Sequence, residues 1–177
     1  MKEYSLNSAD VFGWSAIVRA GDVINLSGTV YTARDAAHKR LADAIKNGHS
    51  LPFELNNAII YYAGPTPTPA NLPIGRCGPT TSSRMDPYVP LLMDNGLKGM
   101  IGKGGRSSDV CDSIVKHCGV YLCAIGGAGA LAAKCIKSME VIAYDDLGCE
   151  SIKKLEFESF PLIVAIDSKG GDLFKIG

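Results

Sequence analysis

The chain has no excess of charge of either sign. Its 177 residues include 18 Lys and Arg and 18 Asp and Glu, so the formal net charge is zero. A general nucleic-acid-binding protein needs a basic face to neutralise phosphates, and this balance argues against that class. The chain is 46% hydrophobic and 20% charged, which is typical of a globular protein. We expect one domain over residues 1–177.

Long apolar runs are also missing. No stretch of the sequence approaches the roughly 20 apolar residues that a membrane-spanning helix needs. The N-terminus, MKEYS at 1–5, lacks the apolar core of a signal peptide. We therefore expect no membrane association and a cytoplasmic location.

Cysteines are present, but no two of them form a C-x-x-C pair. A zinc site or a complete iron–sulfur motif on this chain is therefore unsupported, and we predict no metal ligands here. In a cytoplasmic chain of this size, thiols are expected rather than disulfides, and most should be small buried hydrophobes. The six are Cys77, Cys111, Cys118, Cys123, Cys135 and Cys149.

Alternating strand and helix patterns fill the middle of the chain. Residues 22–30 alternate apolar with polar and predict a strand, and apolar runs at 57–62, 99–101 and 120–125 predict buried strands. Each is followed by a predicted helix, at 32–46, 85–95, 109–117 and from 126 onwards. The C-terminal third predicts strands at 140–144, 152–157, 162–167 and 172–176, with a turn at 169–172. The pattern predicts an α/β domain with central βα units and additional C-terminal strands.

The stretch GPTTSSRMD at 78–86 combines a tight turn, four consecutive hydroxyl side chains, one cation and one carboxylate. Hydroxyl donors, a guanidinium and the N–H groups of a helix start together favour binding of a small anion. An ordinary loop that precedes a capped helix explains the same residues, with Ser83 or Asp86 as the cap. Both interpretations stay open at this point.

Two further βα junctions carry candidate cations. Arg34 and His38 lie one turn apart at the start of a predicted helix, so we expect both to point beyond the carboxyl end of the preceding strand. Thr32 and Asp35 have the spacing of a capping box. Lys103 stands where the strand at 99–101 gives way to a glycine-rich turn. The alternatives are a solvated surface cation for Arg34, a packed or surface imidazole for His38, and a flexible βα turn around Lys103.

A glycine-rich junction at 126–131 partly matches a dinucleotide-binding pattern. The last glycine of that pattern and an acidic ribose partner are not well placed. Close packing of helix on strand explains these glycines better.

Several motifs together resemble one family over nearly the whole chain. They are YTARDAAHKR at 31–40, YAGPTP at 62–67, GPTTSSRMD at 78–86, GKG at 102–104, IGGA at 125–128 and ESFP at 158–161. With these, the chain resembles the β subunit of class I fumarate hydratase and of L-tartrate dehydratase. The resemblance implies a swivelling β/β/α domain.

The resemblance also implies a reaction, a cofactor and a partner. The reaction is reversible addition of water across the carbon–carbon double bond of a dicarboxylate, with fumarate and L-malate as the leading pair and L-tartrate as the alternative. A 4Fe–4S cluster, held by three cysteines, would lie on a partner α subunit in a heterotetramer. One of its irons stays open as a Lewis acid, and the present chain would supply no cluster ligand.

Particular residues receive roles from the resemblance. Arg34, Arg84 and Lys103 match positions that hold substrate carboxylates, and guanidinium forks suit that task. Thr80 matches a position that exchanges a proton with substrate carbon, although a threonine hydroxyl is a poor base without nearby cations or donors. The supporting candidates, which carry less specific roles, are Asp35, His38 and Thr81, of which Asp35 either orients Arg34 or caps its helix.

The length of the chain is shorter than that of a fused enzyme, so we expect the active site to form between two polypeptides. Two other classes remain. One is a non-catalytic anion-binding or regulatory module on the same fold, and the other is a dinucleotide-binding domain centred on 126–131. Retention of Thr80 together with the three cations favours the catalytic subunit.

Overall fold

Seven strands form one sheet within residues 1–175, the part of the chain that this computed structural model describes. The first five are parallel to one another, and the last strand pairs antiparallel with the second, the fifth and the sixth. In chain order they are β1 (Glu3–Asn7), β2 (Val23–Thr32), β3 (Ile59–Tyr61), β4 (Gly99–Gly102), β5 (Val120–Ala124), β6 (Ile136–Ala143) and β7 (Ile152–Ile166).

Helices connect most of these strands. The α-helices are α1 (Val11–Trp14), α2 (Asp35–Lys46), α3 (Val89–Asp94), α4 (Ser108–Lys116) and α5 (Ala128–Cys135). Short 3₁₀ helices occur at Ser8–Asp10, Ser82–Met85 and Asp145–Glu150. The alternation from β3 to α5, followed by β6 and β7, confirms the predicted α/β class. Within the described residues, no helix is both long and apolar enough to cross a membrane.

The long strand β7 closes the sheet on itself. It pairs antiparallel with β2 over residues 154–163 and with β5 over residues 162–166. Because β2, β3, β4 and β5 are neighbours in that order, the five strands make a closed circuit. The carboxyl ends of β2, β3 and β4 therefore lie side by side at one rim.

Two apolar clusters hold the layers together. Ile60 and Tyr62 face α2, α3 and α4 in one cluster, whereas Ile59 and Tyr61 face the interior that β7 closes. All four side chains are fully buried. A strand with apolar residues on both faces needs cover on both sides, which explains the continuous apolar run at 57–62.

The predicted start of α2 is wrong. Thr32 is the last residue of β2, and its buried hydroxyl accepts a hydrogen bond from the Lys153 backbone N–H at 3.1 Å. The helix begins at Asp35, so Thr32 and Asp35 do not form a capping box. A threonine hydroxyl satisfies a backbone group equally well in a strand, and the pairing with β7 decides between the two.

The helix predicted at 85–95 is also different. A 3₁₀ turn at Ser82–Met85 precedes the shorter α3, and neither Ser83 nor Asp86 caps α3, which follows Tyr88. The Asp86 carboxylate instead accepts hydrogen bonds from the side chain of Arg106 and the backbone of Ser107. At α4, Ser107 is the N-cap, and its Oγ accepts a hydrogen bond from Val110 N–H at 3.4 Å.

The two C-terminal strands predicted at 152–157 and 162–167 are one strand, β7. Ser159 breaks the sequence pattern with a positive φ of 49°, and a bulge opposite Leu26 and Gly28 absorbs the irregularity while pairing continues on both sides. A strand at 172–176 is not found, since Asp172 makes only an isolated bridge to Ile166, and residue 176 lies outside the described residues. The turn at 169–172 joins the two partners of that bridge.

Candidate anion-binding site

The predicted site residues follow three adjacent strand ends. Arg34 and Asp35 come after β2, Thr80 lies in the loop after β3, and Lys103 comes directly after β4. Because parallel strands present their carboxyl ends at the same edge, these βα junctions meet at one rim of the sheet. The grouping follows from topology and not from closeness in sequence.

Backbone hydrogen bonds bring Thr80 back to the end of β3. The loop leaves β3 and returns in an antiparallel bridge between Ala63 and Pro79, and Thr80 N–H donates to Tyr62 O at 2.7 Å. From β3, Tyr61 Oη donates a hydrogen bond to the carbonyl of Cys77, which lies in this loop. These bonds hold both ends of the loop at 63–79 and place Thr80 beside β3.

Arg84 is the centre of a chain of polar contacts. Its Nη2 donates to Thr80 Oγ1 at 2.6 Å, and its Nε lies 3.3 Å from Asp35 Oδ1. The Arg84 and Asp35 side chains are 50% and 41% exposed, so the group is open to a ligand. The arrangement joins α2 to the loop after β3 through one guanidinium.

Lys103 is fixed to the same loop through its backbone. Its N–H donates to Ser82 Oγ at 3.0 Å, and its carbonyl accepts from Ser82 N–H at 3.0 Å. Thr81 and Lys103 form a parallel bridge, which continues the sheet beyond β3 and β4. The Lys103 side chain is exposed, as is Thr81, and both lie next to the Thr80 backbone.

Glycine allows this close approach at the end of β4. A Cβ atom on Gly102 would overlap Ser82 Oγ and lie 2.8 Å from the Tyr62 ring. Ser82 is fully buried, and its Oγ also accepts a hydrogen bond from Tyr121 Oη at 2.8 Å. The two site loops therefore meet through buried hydroxyl groups.

Arg34 lies against the turn that follows β3. A Cβ atom on Gly64 would lie 2.9 Å from Arg34 Nη1 and 3.0 Å from the carbonyl oxygen of Cys149. The Arg34 Nε atom is buried and has no hydrogen-bond partner among residues 1–175. The guanidinium thus has donor capacity to spare, which suits a group that receives a carboxylate.

His38 does not extend to the surface with Arg34, contrary to the expectation from their spacing. It is fully buried, with its ring edge-on to Tyr62 at 5.3 Å between centroids. Its Nδ1 lies 2.9 Å from the Arg34 carbonyl, and since a carbonyl only accepts, Nδ1 carries the proton. Burial, assisted by the charge of Arg106, lowers the pKa of His38 to about 4. His38 therefore supports the Arg34 backbone from beneath as a neutral imidazole.

A buried ion pair below the site was not predicted. The Arg106 side chain is fully buried, and its Nε donates to Asp86 Oδ1 at 2.7 Å. The guanidinium lies over the rings of Tyr121 and Tyr62, at 4.7 and 5.2 Å from their centroids. Sequence alone gave no sign of it, because an Arg in a glycine-rich turn and an Asp before a proline both look like surface residues.

The cysteines do not form a ligand set. Residues 1–175 contain no group of three or more His, Cys, Asp or Glu side chains that could hold a metal ion. Cys77 lies inside the core, where burial raises the pKa of its thiol to about 12, so it resists the ionisation that metal binding requires. Within the described part of the chain, the side chains therefore do not fit a 4Fe–4S cluster.

The first residues of α5 lie against the loop after β3. A Cβ atom on Gly129 would lie 3.5 Å from the backbone nitrogen of Gly78, and Cys77 N–H lies 3.4 Å from the Gly129 carbonyl. A separation of 3.5 Å is an ordinary van der Waals contact, and nothing lies within 4 Å of a Cβ atom placed on Gly126 or Gly127, so the close packing predicted for these glycines is wrong. Gly127 instead has a positive φ of 76°, a conformation that favours glycine.

Fold and site together define an α/β domain with three cations and a threonine hydroxyl at the carboxyl ends of neighbouring parallel strands. Residues 4–177 match the family model described as "Fumarase C-terminus", and the chain belongs to this family. It is 37% identical over 164 residues to the putative L(+)-tartrate dehydratase subunit beta of Methanocaldococcus jannaschii, covering 89% of this chain and 84% of that protein.

Fumarate hydratases are similar to the chain over a smaller part of their own length. Identity is 47% over 154 residues to the anaerobic class I fumarate hydratase of Escherichia coli, and 42% over 157 residues to fumarate hydratase 2 of Leishmania major. These alignments cover 86% and 88% of this chain. The chain spans 28% of the length of each of these two relatives.

Proposed function

We propose that this chain is the β subunit of an iron–sulfur hydro-lyase that hydrates and dehydrates a dicarboxylate. Fumarate and L-malate are the leading substrates, and L-tartrate is the second candidate. Similarity to fumarate hydratases and to a tartrate dehydratase subunit beta supports the reaction class. The observation that carries the proposal is the contact of Arg84 with Thr80 beside two further cations.

The hydrogen bond from Arg84 gives Thr80 what a threonine lacks as a base. A guanidinium donor at 2.6 Å from Oγ1 stabilises the ionised oxygen much more than the neutral hydroxyl. In the dehydration direction, Thr80 Oγ1 takes the proton from the substrate carbon, and in hydration it returns that proton. The role of Thr80 therefore depends on Arg84 as well as on its own position.

The three cations divide the work of holding a dianion. Arg34 offers its half-buried guanidinium, Arg84 offers the nitrogen atoms not used by Thr80 and Asp35, and Lys103 offers an exposed ammonium group. Planar guanidinium groups fix the orientation of a carboxylate, whereas an ammonium group acts as a point charge. Two oriented carboxylates would place the carbon between them against Thr80.

In this proposal the 4Fe–4S cluster lies on a partner α subunit, and the two subunits form a heterotetramer in the cytoplasm. The poor fit of a cluster to this chain supports the division. The exposed site side chains would then face the partner, which would close the site and exclude water.

Reconstitution tests the proposal. The chain, produced alone without air and supplied with iron and sulfide, should bind no stoichiometric cluster and show no hydratase activity. Combined with a candidate α subunit carrying three separated cysteines, it should convert L-malate and fumarate. Activity on L-tartrate in place of L-malate selects the second candidate. A four-iron cluster on this chain alone, or an inactive loaded complex with both substrates, would contradict the proposal.

A further inference from the structure

Asp35 contacts a different arginine from the one that its sequence position suggests. It follows Arg34 directly in the chain, yet its carboxylate pairs with Arg84, which is 49 residues away in sequence. Arg34 instead lies against Gly64 and the carbonyl of Cys149. The start of α2 therefore contributes two groups to the site: Arg34, at the N-cap, is one of its cations, and Asp35 pairs with a second cation, Arg84.

The contacts use a particular edge of the Arg84 guanidinium. Nε and Nη2 share one side of this planar group, and they meet Asp35 Oδ1 and Thr80 Oγ1 at 3.3 and 2.6 Å. The Nη1 atom makes no hydrogen bond within residues 1–175, so its two N–H groups remain free for a ligand. Turning the guanidinium about its long axis would break both contacts together.

We propose that Asp35 is a positioning residue that acts through Arg84. By pairing with Nε, the Asp35 carboxylate sets the rotation of the guanidinium. Nη2 then donates to Thr80, and Nη1 is presented to a substrate carboxylate. The inference rests on the proposed function, because it assigns Asp35 to the same proton-transfer site. It predicts that the effect of Asp35 on catalysis disappears when Arg84 is changed.

This ion pair should contribute little to the free energy of unfolding. Both side chains are close to half exposed, and exposed ion pairs contribute little to folding. An orientation error at a reacting group is much more costly, since a misplacement of about 1 Å can lower a rate by about 100-fold. Asp35 should therefore influence kinetics far more than unfolding.

A double-mutant cycle in the reconstituted enzyme tests the assignment. Asp35→Asn, which keeps the size of the side chain, should lower kcat/KM about ten-fold. In an Arg84→Lys background the same change should cost no more than about two-fold, because the fork that it orients is already lost. In an Arg34→Lys background, the full ten-fold loss should remain. Coupling to Arg34 in place of Arg84, or equal losses in both backgrounds, would overturn the inference.

A second measurement uses the chain without its partner. In the ¹⁵N-labelled chain, the Arg84 Nε–H signal is identified by its loss in Arg84→Lys, and its exchange with water is measured. Asp35→Asn should speed this exchange several-fold, whereas Asp43→Asn, at an exposed position of the same helix, should not. Unchanged exchange in Asp35→Asn would show that the pair does not hold Arg84.

The two measurements separate the inference from the proposed function. Normal kinetics in both Thr80→Val and Arg84→Lys would refute the proposed proton-transfer site, whatever Asp35 does. A large loss in those variants, with wild-type kinetics in Asp35→Asn, would refute the inference alone. The melting temperature of Asp35→Asn should fall by no more than about 2–4 °C, which corresponds to a weakened interaction with the helix dipole.

Discussion

Arg106 and Asp86 form a buried ion pair that joins the two loops of the site. Asp86 closes the segment that carries Thr80 and Arg84, and Arg106 lies three residues after Lys103. The two side chains are 0% and 10% exposed. Either charge without the other would be buried from water and would lack a neutralising opposite charge.

Asp86→Asn should destabilise the chain by about 3–5 kcal/mol, because it leaves the buried guanidinium of Arg106 uncompensated. The measurement is urea unfolding followed by circular dichroism. Asp146→Asn is the matched control, since Asp146 pairs with Arg40 at the surface and its loss should cost at most about 1 kcal/mol. Similar losses of unfolding free energy in both variants would show that the buried pair contributes no more to stability than the surface pair.

Thr80→Val should lower turnover while substrate binding is largely kept. Valine preserves the shape of threonine but removes the hydroxyl, and general acid–base participation is worth about 10²–10⁴-fold in rate. Steady-state kinetics of the reconstituted enzyme give kcat and KM separately. Thr68→Val is the control, because Thr68 is exposed in the same loop, which follows β3. Near-normal turnover in Thr80→Val would leave Thr80 as a structural residue.

The buried His38 should make stability depend on pH. Burial lowers the pKa of His38 to about 4 in the folded chain, against about 6.5 when unfolded. Between these values the unfolded state binds more protons, so stability is complete above about pH 6.5 and falls as the pH drops towards 4. The loss from this group should be roughly 2–4 kcal/mol.

Unfolding of the wild type and of His38→Gln at pH 7.5, 6 and 5 checks this expectation. His38→Gln should be less stable at pH 7.5 but should lose less stability on acidification. His49→Gln, at an exposed position, should retain the wild-type pH dependence. An equal acid sensitivity of wild type and His38→Gln would place the titrating group elsewhere.

Lys153 should hold the segment at 145–151 in place. Its buried ammonium donates to Ser151 Oγ, the Cys149 carbonyl and the Ser151 carbonyl at 2.8, 3.1 and 3.2 Å. Lys153→Met removes the ammonium that donates to these acceptors, which should cost about 1–3 kcal/mol and speed amide exchange in the segment. Lys154→Met, one residue along and exposed, should have no such effect. Hydrogen exchange read by mass spectrometry compares the two variants.

A methyl group on Gly64 should weaken substrate binding. The new Cβ in Gly64→Ala would lie 2.9 Å from Arg34 Nη1 and 3.0 Å from a backbone carbonyl, so the guanidinium has to move. Losing one charge-assisted hydrogen bond costs about 1.5–3 kcal/mol, and KM for the dicarboxylate should rise roughly ten-fold or more. Gly13→Ala, where nothing lies within 4 Å of the new methyl group, is the control. An unchanged KM would separate Arg34 from substrate binding.

The sequence predicted the strands better than it predicted side-chain partners. The strands at 57–62, 99–101 and 120–125 were found because apolar runs that are covered on both faces leave a clear pattern, and the strand at 22–30 was found because its apolar residues alternate with polar ones. The start of α2 was missed because Thr32 satisfies a backbone group in a strand as readily as at a helix start. Such local ambiguity is resolved only by tertiary pairing.

The composition of the site came from motifs, but its connections did not. Sequence placed Arg34, Thr80, Arg84 and Lys103 at βα junctions, and the structure puts those junctions at one rim. The pairings of Asp35 with Arg84 and of Asp86 with Arg106 depend on how loops cross in space, and no local pattern encodes that. The substrate roles of these residues stay predictions.

The bridge between Thr81 and Lys103 has a consequence for how the site can open. It ties the loop after β3 to the end of β4, and Ser82 and Tyr121 fasten the same junction from inside. We therefore expect Thr80, Arg84 and Lys103 to move together as one rigid unit and not as independently mobile loops. If a partner completes the site as proposed, we expect a dicarboxylate to enter and leave by movement of the whole domain relative to that partner, with the hinge between the subunits.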